Sequence, residues 1–251
     1  MCRLFGMMAS EPATAHFWLL GASDSMIDQS YKHSDGTGLA HYVDHRPIVQ
    51  KHPIAAYRNQ DFVARARRVR SHLFVAHVRY ATQGRSCLDN TQPFADDSLV
   101  FAHNGHIEGL ENLPLSLGPF RGDTDSEQYF AVLRHYIEKA LNIPAGIRKA
   151  VEWITENCTY ASLNFLLADG DFLYALRFPG TEDPHLFVRR LEAGEDFRGQ
   201  SLYGTRTECC PRHGAILFAS EPIDSASSWR ELEPETLAVA DRDLRLELHH
   251  I

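Results

Sequence analysis

The sequence predicts an α+β fold, and two observations carry that prediction. Apolar, strand-like runs gather on either side of a central pair of helices. Their order is strands, then helices, then strands, without the alternation that builds parallel βαβ units. Two sheets face to face with helices outside fit this order, and so does one large sheet. No linker or repeat interrupts the 251 residues, so one domain spanning 1–251 is expected.

Leu4 to Met8 reads as a first strand, which anchors the terminus in a sheet. Glu11-Pro12 then opens an apolar segment to about Leu20, expected as a helix with Pro12 in its first turn. His33-Ser34-Asp35-Gly36-Thr37-Gly38 is a turn-rich loop leading into a strand over Leu39 to Val43. Phe62, Val63, Ala66 and Val69 recur at helical spacing, so Asn59 to Arg70 is expected as a helix. His72 to Tyr80 follows as a strand with Arg79 near its end. Ser98 to Ala102 is another, running straight into His103-Asn104-Gly105.

Thr124 and Glu127 have capping-box spacing at the start of a helix. Phe130, Leu133, Ile137 and Leu141 mark its buried face. Pro144 suits the first turn of a second helix, reaching about Asn157. Leu163–Leu167 and Phe172–Phe178 read as a hairpin turning at Asp169-Gly170. Leu186–Val188, Ala215–Ser220 and Thr236–Ala240 add three strands.

Composition narrows the function. The net charge of -8 argues against a polyanion binder, which needs clustered cations. The one basic run, Arg65, Arg67, Arg68 and Arg70, lacks interleaved aromatics and reads as a solvated helix face, so no nucleic acid is expected. No stretch approaches the roughly 18 apolar residues of a membrane span, and no signal peptide is recognisable. Five irregularly spaced cysteines (Cys2, Cys87, Cys158, Cys209, Cys210) make a poor disulfide framework, so a cytoplasmic location with reduced thiols is expected. The 14 histidines include no His-Glu-x-x-His pair, His249-His250 reads as a disordered tail, and no metal or cofactor is expected.

Four short segments ask for a joint explanation. Removal of Met1 leaves Cys2 with both a thiol and a free α-amine, a nucleophile with a built-in proton acceptor. The others are His77-Val78-Arg79-Tyr80-Ala81-Thr82, His103-Asn104-Gly105 and Thr124-Asp125-Ser126-Glu127. Singly, each has a plain reading: an incidental thiol, a surface ion pair, a turn, an acid at a helix N-terminus. All four in this order closely resemble the class II glutamine amidotransferases, the N-terminal-nucleophile amidotransferases. The resemblance spans nearly the whole chain. It includes Asn90-Thr91-Gln92-Pro93-Phe94 and Ala219-Ser220-Glu221-Pro222, and is closest to the short, stand-alone members.

The resemblance implies a four-layer αββα sandwich and a mature chain beginning at Cys2. It implies Cys2 as nucleophile, forming a γ-glutamyl thioester with its own amine as proton acceptor. Asn104 and Gly105 match an oxyanion hole, Arg79 the anchor of the substrate α-carboxylate, and Asp125 the partner of its α-ammonium. Thr82 matches a further substrate contact. The expected substrate is glutamine or a γ-glutamyl small molecule. With no room for an ammonia-consuming domain, a synthetic role requires a separate ammonia-accepting protein partner. The family pattern differs at the His33 loop, where Thr37 stands in place of a frequent Trp; that loop is expected at the mouth of the site. Hydrolysis of a γ-glutamyl conjugate is the nearest alternative, and a non-catalytic glutamine-binding module is an alternative of another class.

Overall fold

The computed structural model describes residues 1–110, 117, 119–201, 206–209 and 213–251, with the backbone alone for 198, 200 and 206–209. In chain order the strands and helices are β1 (Arg3–Ala13), α1 (Met26–Gln29), β2 (Gly36–Val43), β3 (Arg46–His52), α2 (Gln60–Arg68), β4 (Ser71–Arg79), β5 (Phe94–Asp96), β6 (Leu99–Glu108), α3 (Asp125–Lys139) and α4 (Ile143–Asn157). The C-terminal part adds β7 (Thr159–Ala168), β8 (Phe172–Arg177), β9 (Phe187–Leu191), β10 (Phe197–Gln200), β11 (Arg206–Cys209), β12 (Ala215–Ala219), β13 (Arg230–Glu231), β14 (Thr236–Asp241) and β15 (Leu246–His250).

Among the described residues, two antiparallel sheets form. One runs β13-β9-β12-β1-β4-β2-β3, the other β15-β14-β8-β7-β6-β5, with β10-β11 as a small ribbon. Strand alternation explains the layering, because successive side chains leave opposite faces of a strand. In β1, Phe5 and Met7 join Phe17, Trp18 and Phe62 of the outer helical segments, whereas Leu4 and Met8 join Leu73, Val75, Val100 and Leu166 between the sheets. On the far side of the second sheet Phe101 and Phe165 pack on Tyr129, Leu133, Ile147 and Ile154 of α3 and α4. Three apolar interfaces mean four layers, αββα, and the two-sheet arrangement is the one adopted. Full burial of each such large side chain contributes about 1.5–3 kcal/mol.

Several local expectations are corrected. The helix expected from Glu11 to Leu20 is absent: β1 continues to Ala13, its register with β4 shifting between Met8 and Ala13. Pro12, which has no N–H, lies in the last residues of the strand instead of starting a helix. Only Phe17–Gly21 then winds, as a wide turn closed by Ala22 N–H on the Phe17 carbonyl (2.8 Å). Asn104-Gly105 is not a turn; β6 runs through it to Glu108, paired with β7. The capping box is half made. Thr124 accepts from Glu127 N–H (3.4 Å), but the Glu127 carboxylate accepts from Arg121 and Gly122 N–H instead. Leu141 lies beyond α3 and is fully exposed.

His249-His250 is no tail, since β15 pairs with β14 through both residues. The hairpin β2–β3 turns through Asp44 and His45, both at positive φ (48° and 61°). That is the conformation a two-residue hairpin demands, without the Asn-Gly or Asp-Gly pair that would announce it. Cys210 and the Cys209 side chain lie outside the described residues. Cys87 and Cys158 are half-buried and form no disulfide among the described residues. No helix is long and apolar enough to cross a membrane among the described residues.

Candidate active site

Strand parity gathers the site. Leu4 and Met8 of β1, Leu73 and Val75 of β4, and Val100 and Ala102 of β6 all face the space between the sheets. Two residues further along each alternation come Cys2, then His77 and Arg79, then Asn104. Because β1 and β4 are antiparallel (Arg3 opposite Val78), the start of one lies beside the end of the other. The polar residues therefore collect at one end of the sandwich, where the apolar filling stops.

Met1 is attached in this structure, and Cys2 is half-buried behind it. The Tyr80 N–H donates to Cys2 Sγ (3.4 Å), and Sγ lies 3.5 Å from the Tyr80 carbonyl oxygen. Burial pushes the thiol above its ordinary range. The Tyr80 backbone contact, the N-terminal ammonium and the Arg79 guanidinium lower it, and the Asp125 carboxylate raises it further. Arg3 steadies the segment by donating to the Cys2 carbonyl (3.1 Å) while pairing with Glu221.

A cleft of about 320 Å³ opens beside the thiol, lined by Cys2, Tyr80, Thr82, Gly105, His106 and Glu182 among others. Gly105 enters it by necessity. A Cβ there would collide with the Ser162 carbonyl and lie 2.6 Å from His103 Nε2. Its N–H direction follows from the ladder. Leu163, opposite Gly105, donates to Phe178 O (2.9 Å), away from β6. The Gly105–Leu163 pair is thus not hydrogen-bonded, and the Gly105 N–H points to the other edge of β6. On that edge the neighbouring amides are met by side chains: His103 N–H by Gln92 Oε1 (2.6 Å) and Ile107 N–H by Asp125 Oδ2 (2.8 Å). Asn104 is buried with its Oδ1 unpartnered. Its main-chain carbonyl accepts from Ser162 Oγ (2.8 Å).

The structure brings Cys2, Thr82 and Gly105 into one cleft and sets Asp125 beside a second cavity of about 330 Å³, shared with Gln83, Glu108, Asp123 and Gln128. Arg79 lies deeper. It is buried, and its guanidinium donates to the carbonyls of Gln83, Gly84 and Arg85 (2.5–3.2 Å). The His33 loop contributes no residue to the cleft wall. Asp35 accepts from Ala81 N–H (2.9 Å), Thr37 is buried and donates to the Ile54 carbonyl (2.7 Å), and His33 meets Tyr80 edge-on. Desolvation and the nearby Arg3 charge hold His33 down to about 4.

Sequence reasoning missed the supports. The Tyr80 main chain, Gln92 and His103 all hold site groups. His103 sits between Ser126 Oγ (3.0 Å) and the Ser162 carbonyl (3.2 Å), so Nε2 carries the proton and Nδ1 accepts from the hydroxyl. Gln92 lies within Asn90-Thr91-Gln92-Pro93-Phe94 and His103 directly precedes Asn104-Gly105, which was the available signal. Among the described residues, no group of three or more His, Cys, Asp or Glu side chains could hold a metal ion.

Comparison with known proteins adds an independent line. The family described as glutamine amidotransferases class-II matches residues 1–247. An uncharacterized protein of Methanocaldococcus jannaschii is 31% identical over 95% of this chain and 69% of its own length. The gamma-glutamyl-hercynylcysteine sulfoxide hydrolase of Mycobacterium tuberculosis is 26% identical over 92% of this chain and 89% of its own. A glutamine aminotransferase class-II domain protein from Silicibacter pomeroyi shares the fold, with a TM-score of 0.67 at 22% identity, covering 100% of this chain and 99% of that one.

Proposed function

The chain belongs to the class II glutamine amidotransferase family, and from that premise we propose that it hydrolyses the side-chain amide of glutamine through a thioester on Cys2. The observation that supports this most directly is the shared cleft: the thiol of Cys2, Thr82 and Gly105 border one space, with Asp125 adjoining it.

The mechanism assigns each group a task. After Met1 is removed, the freed α-amine takes the proton of the desolvated thiol as Sγ attacks the amide carbon. The carbonyl oxygen gains the displaced electron pair and is held by the Asn104 side-chain N–H and the Gly105 main-chain N–H. Collapse of this adduct breaks the carbon–nitrogen bond. The α-ammonium returns its proton to the leaving nitrogen, and ammonia departs. Water then attacks the thioester and releases glutamate. Asp125 pairs with the substrate α-ammonium, and Arg79 pairs with the α-carboxylate through N–H groups not spent on the 83–85 carbonyls. Clamping both α-groups presents only the side-chain amide to Cys2.

The reading includes a single domain, a cytoplasmic setting and a separate protein that takes up the ammonia whenever the nitrogen is used in synthesis. A second reading has its own support. The cleft beside the thiol has room for a leaving group larger than ammonia, and the Mycobacterium tuberculosis relative is named for a γ-glutamyl conjugate. The chemistry at Cys2 is the same, with an amine as leaving group. Glutamate release from glutamine and from γ-glutamyl amides, compared by kcat/KM, separates the two readings. Cys2→Ala abolishes either; undiminished turnover in that variant refutes both.

A further inference from the structure

The cleft beside the thiol has an acidic end to which the mechanism assigns no task. Among the described residues that line it, Glu182 carries the one carboxylate, and there is no Lys or Arg. We infer that Glu182 is a specificity-determining residue that selects γ-glutamyl amides whose leaving amine carries a second, cationic group. The inference deepens the second reading above, hydrolysis of a γ-glutamyl conjugate, and rests on it.

Sheet geometry sets Glu182 on the leaving-group side. Asp125, the proposed partner of the α-ammonium, accepts from Ile107 N–H on one edge of β6 (2.8 Å). β7 lies along the other edge, with Leu163 opposite Gly105. Beyond β7, the chain leaving β8 continues the sheet: Leu163 N–H donates to the Phe178 carbonyl (2.9 Å), and Ser162 bridges Pro179. Asp125, Gly105, Ala161 and Glu182 therefore follow one another across the sheet. A substrate with its α-ammonium at Asp125 and its carbonyl oxygen on the Gly105 N–H turns its amine half the opposite way, toward Ala161 and Glu182. Two strand spacings, about 10 Å, separate β6 from the Glu182 main chain. The Glu182 side chain covers part of that span, so a cation a few bonds beyond the scissile nitrogen meets the carboxylate.

The main chain under Glu182 is fixed, whereas its carboxylate is uncommitted. The Ala161 carbonyl accepts from the N–H groups of Gly180 and Glu182 (3.0 Å each), and Thr181 N–H donates to the Tyr160 carbonyl (3.3 Å). The packing is close enough that a Cβ on Gly180 would lie 2.4 Å from the Tyr160 carbonyl oxygen. Glu182 itself is exposed and makes no ion pair among the described residues. The adjacent Asp183 is taken by Arg177 (2.8 Å), which also holds Glu231 (2.8 Å), and Arg3 pairs with Glu221. An anchored backbone thus presents an unneutralised negative charge to whatever leaves from the thioester-forming step, which favours a cationic partner and repels an anionic one.

Three probes of equal length test this: the γ-glutamyl amide of butylamine, its ω-amino counterpart and its ω-carboxyl counterpart. For each processed protein, kcat/KM on a charged amide is divided by that protein's own value on the butylamide, so a general loss of activity cancels. The wild type should favour the ω-amino amide about fivefold and disfavour the ω-carboxyl amide by a similar factor, the upper range for an ion pair open to solvent. Raising the salt concentration should shrink both factors. Glu182→Gln should flatten the order, and Glu182→Lys should reverse it. An order that persists in Glu182→Gln, no order in the wild type, or a wild-type preference for the ω-carboxyl amide overturns the assignment. Turnover of glutamine with none of the three amides also overturns it and leaves the glutamine reading standing. If the processed wild type turns over neither glutamine nor any of the amides, the parent reading fails and takes this inference with it.

Discussion

Replacing Gly105 by alanine tests the site and the sheet together. The added Cβ would overlap the Ser162 carbonyl and sit 2.6 Å from His103 Nε2 and 2.8 Å from the Ser162 carbonyl carbon. Neither neighbour can yield cheaply. Ser162 is ladder backbone and is buried, and the His103 ring is held on both nitrogens within a buried pocket. The β6 strand must instead move off β7. Overpacking of this kind typically costs about 1–3 kcal/mol. For a chain of this size each kcal/mol lowers Tm by about 2–4 °C, so a fall of about 2–12 °C is expected. The displacement carries the Gly105 N–H with it, and a misplacement of about 1 Å at a reacting centre can cost about 10²-fold in rate. Thermal melting followed by circular dichroism gives the first quantity. Glutamate release, measured at a temperature where the variant is folded, gives the second. Wild-type Tm together with wild-type kcat/KM would refute the reasoning at both levels.

Other expectations follow from the same geometry. Arg79→Lys keeps the charge but loses the fork that reaches three carbonyls and, in the proposed mechanism, the substrate carboxylate; it should raise KM by about 10-fold or more, and an unchanged KM would count against Arg79 as the carboxylate anchor. Since burial raises the Cys2 thiol in the Met1-bearing form, its thiolate appears only at higher pH. Alkylation by iodoacetamide should therefore half-rise above the roughly 8.5 of a free cysteine; a half-rise at or below that value contradicts the desolvation seen here. An N-terminal extension that blocks processing should leave Tm intact and abolish turnover, because an amide nitrogen cannot accept the thiol proton; full activity in an intact extended protein, verified by mass, would contradict the mechanism. His77 is fully buried, and desolvation, reinforced by the nearby Arg79 charge, holds it down to about 3. The unfolded chain binds a proton there near pH 6.5 and the folded chain does not, so stability is complete above 6.5 and falls as pH drops toward 3. The slope from this residue reaches about 1.4 kcal/mol per pH unit. Urea unfolding of wild type and His77→Leu across pH 7.5 to 5 should show a shallower slope in the variant; identical slopes would remove His77 from the account.

How much was legible in the chain alone depends on the range of the interaction involved. The short apolar runs at Leu4–Met8, Leu73–Ala76 and Ser98–Ala102 and the helical spacing of Phe130 and Leu133 are written in neighbouring residues, so the α+β class and most elements could be read directly. The ordered segments around Cys2, Arg79, Asn104-Gly105 and Asp125 pointed to the family because their chemistry is complementary whatever the path between them. Pro12 and Leu141 misled because each has a helical reading that tertiary pairing or chain direction overrode. The β3 and β15 edge strands were missed because a half-exposed strand carries polar residues such as Arg46, Gln50, Glu247 and His249 and needs no apolar run.

What only the tertiary structure decided is where these groups aim. Asn104-Gly105 reads as a turn in isolation; the ladder with β7 made it straight strand and turned the Gly105 N–H outward, because hydrogen-bond direction in a sheet is set by the partner strand. Arg79 could be placed near a strand end, but not its engagement with the 83–85 carbonyls. The bond from Ile107 N–H to Asp125 was silent in sequence, since it comes from a register slip against Ala161 and from a carboxylate eighteen positions away that α3 brings to the edge of β6. Residue identity determined which chemistry this chain is equipped for, and the pairing of distant strands determined which of those residues meet.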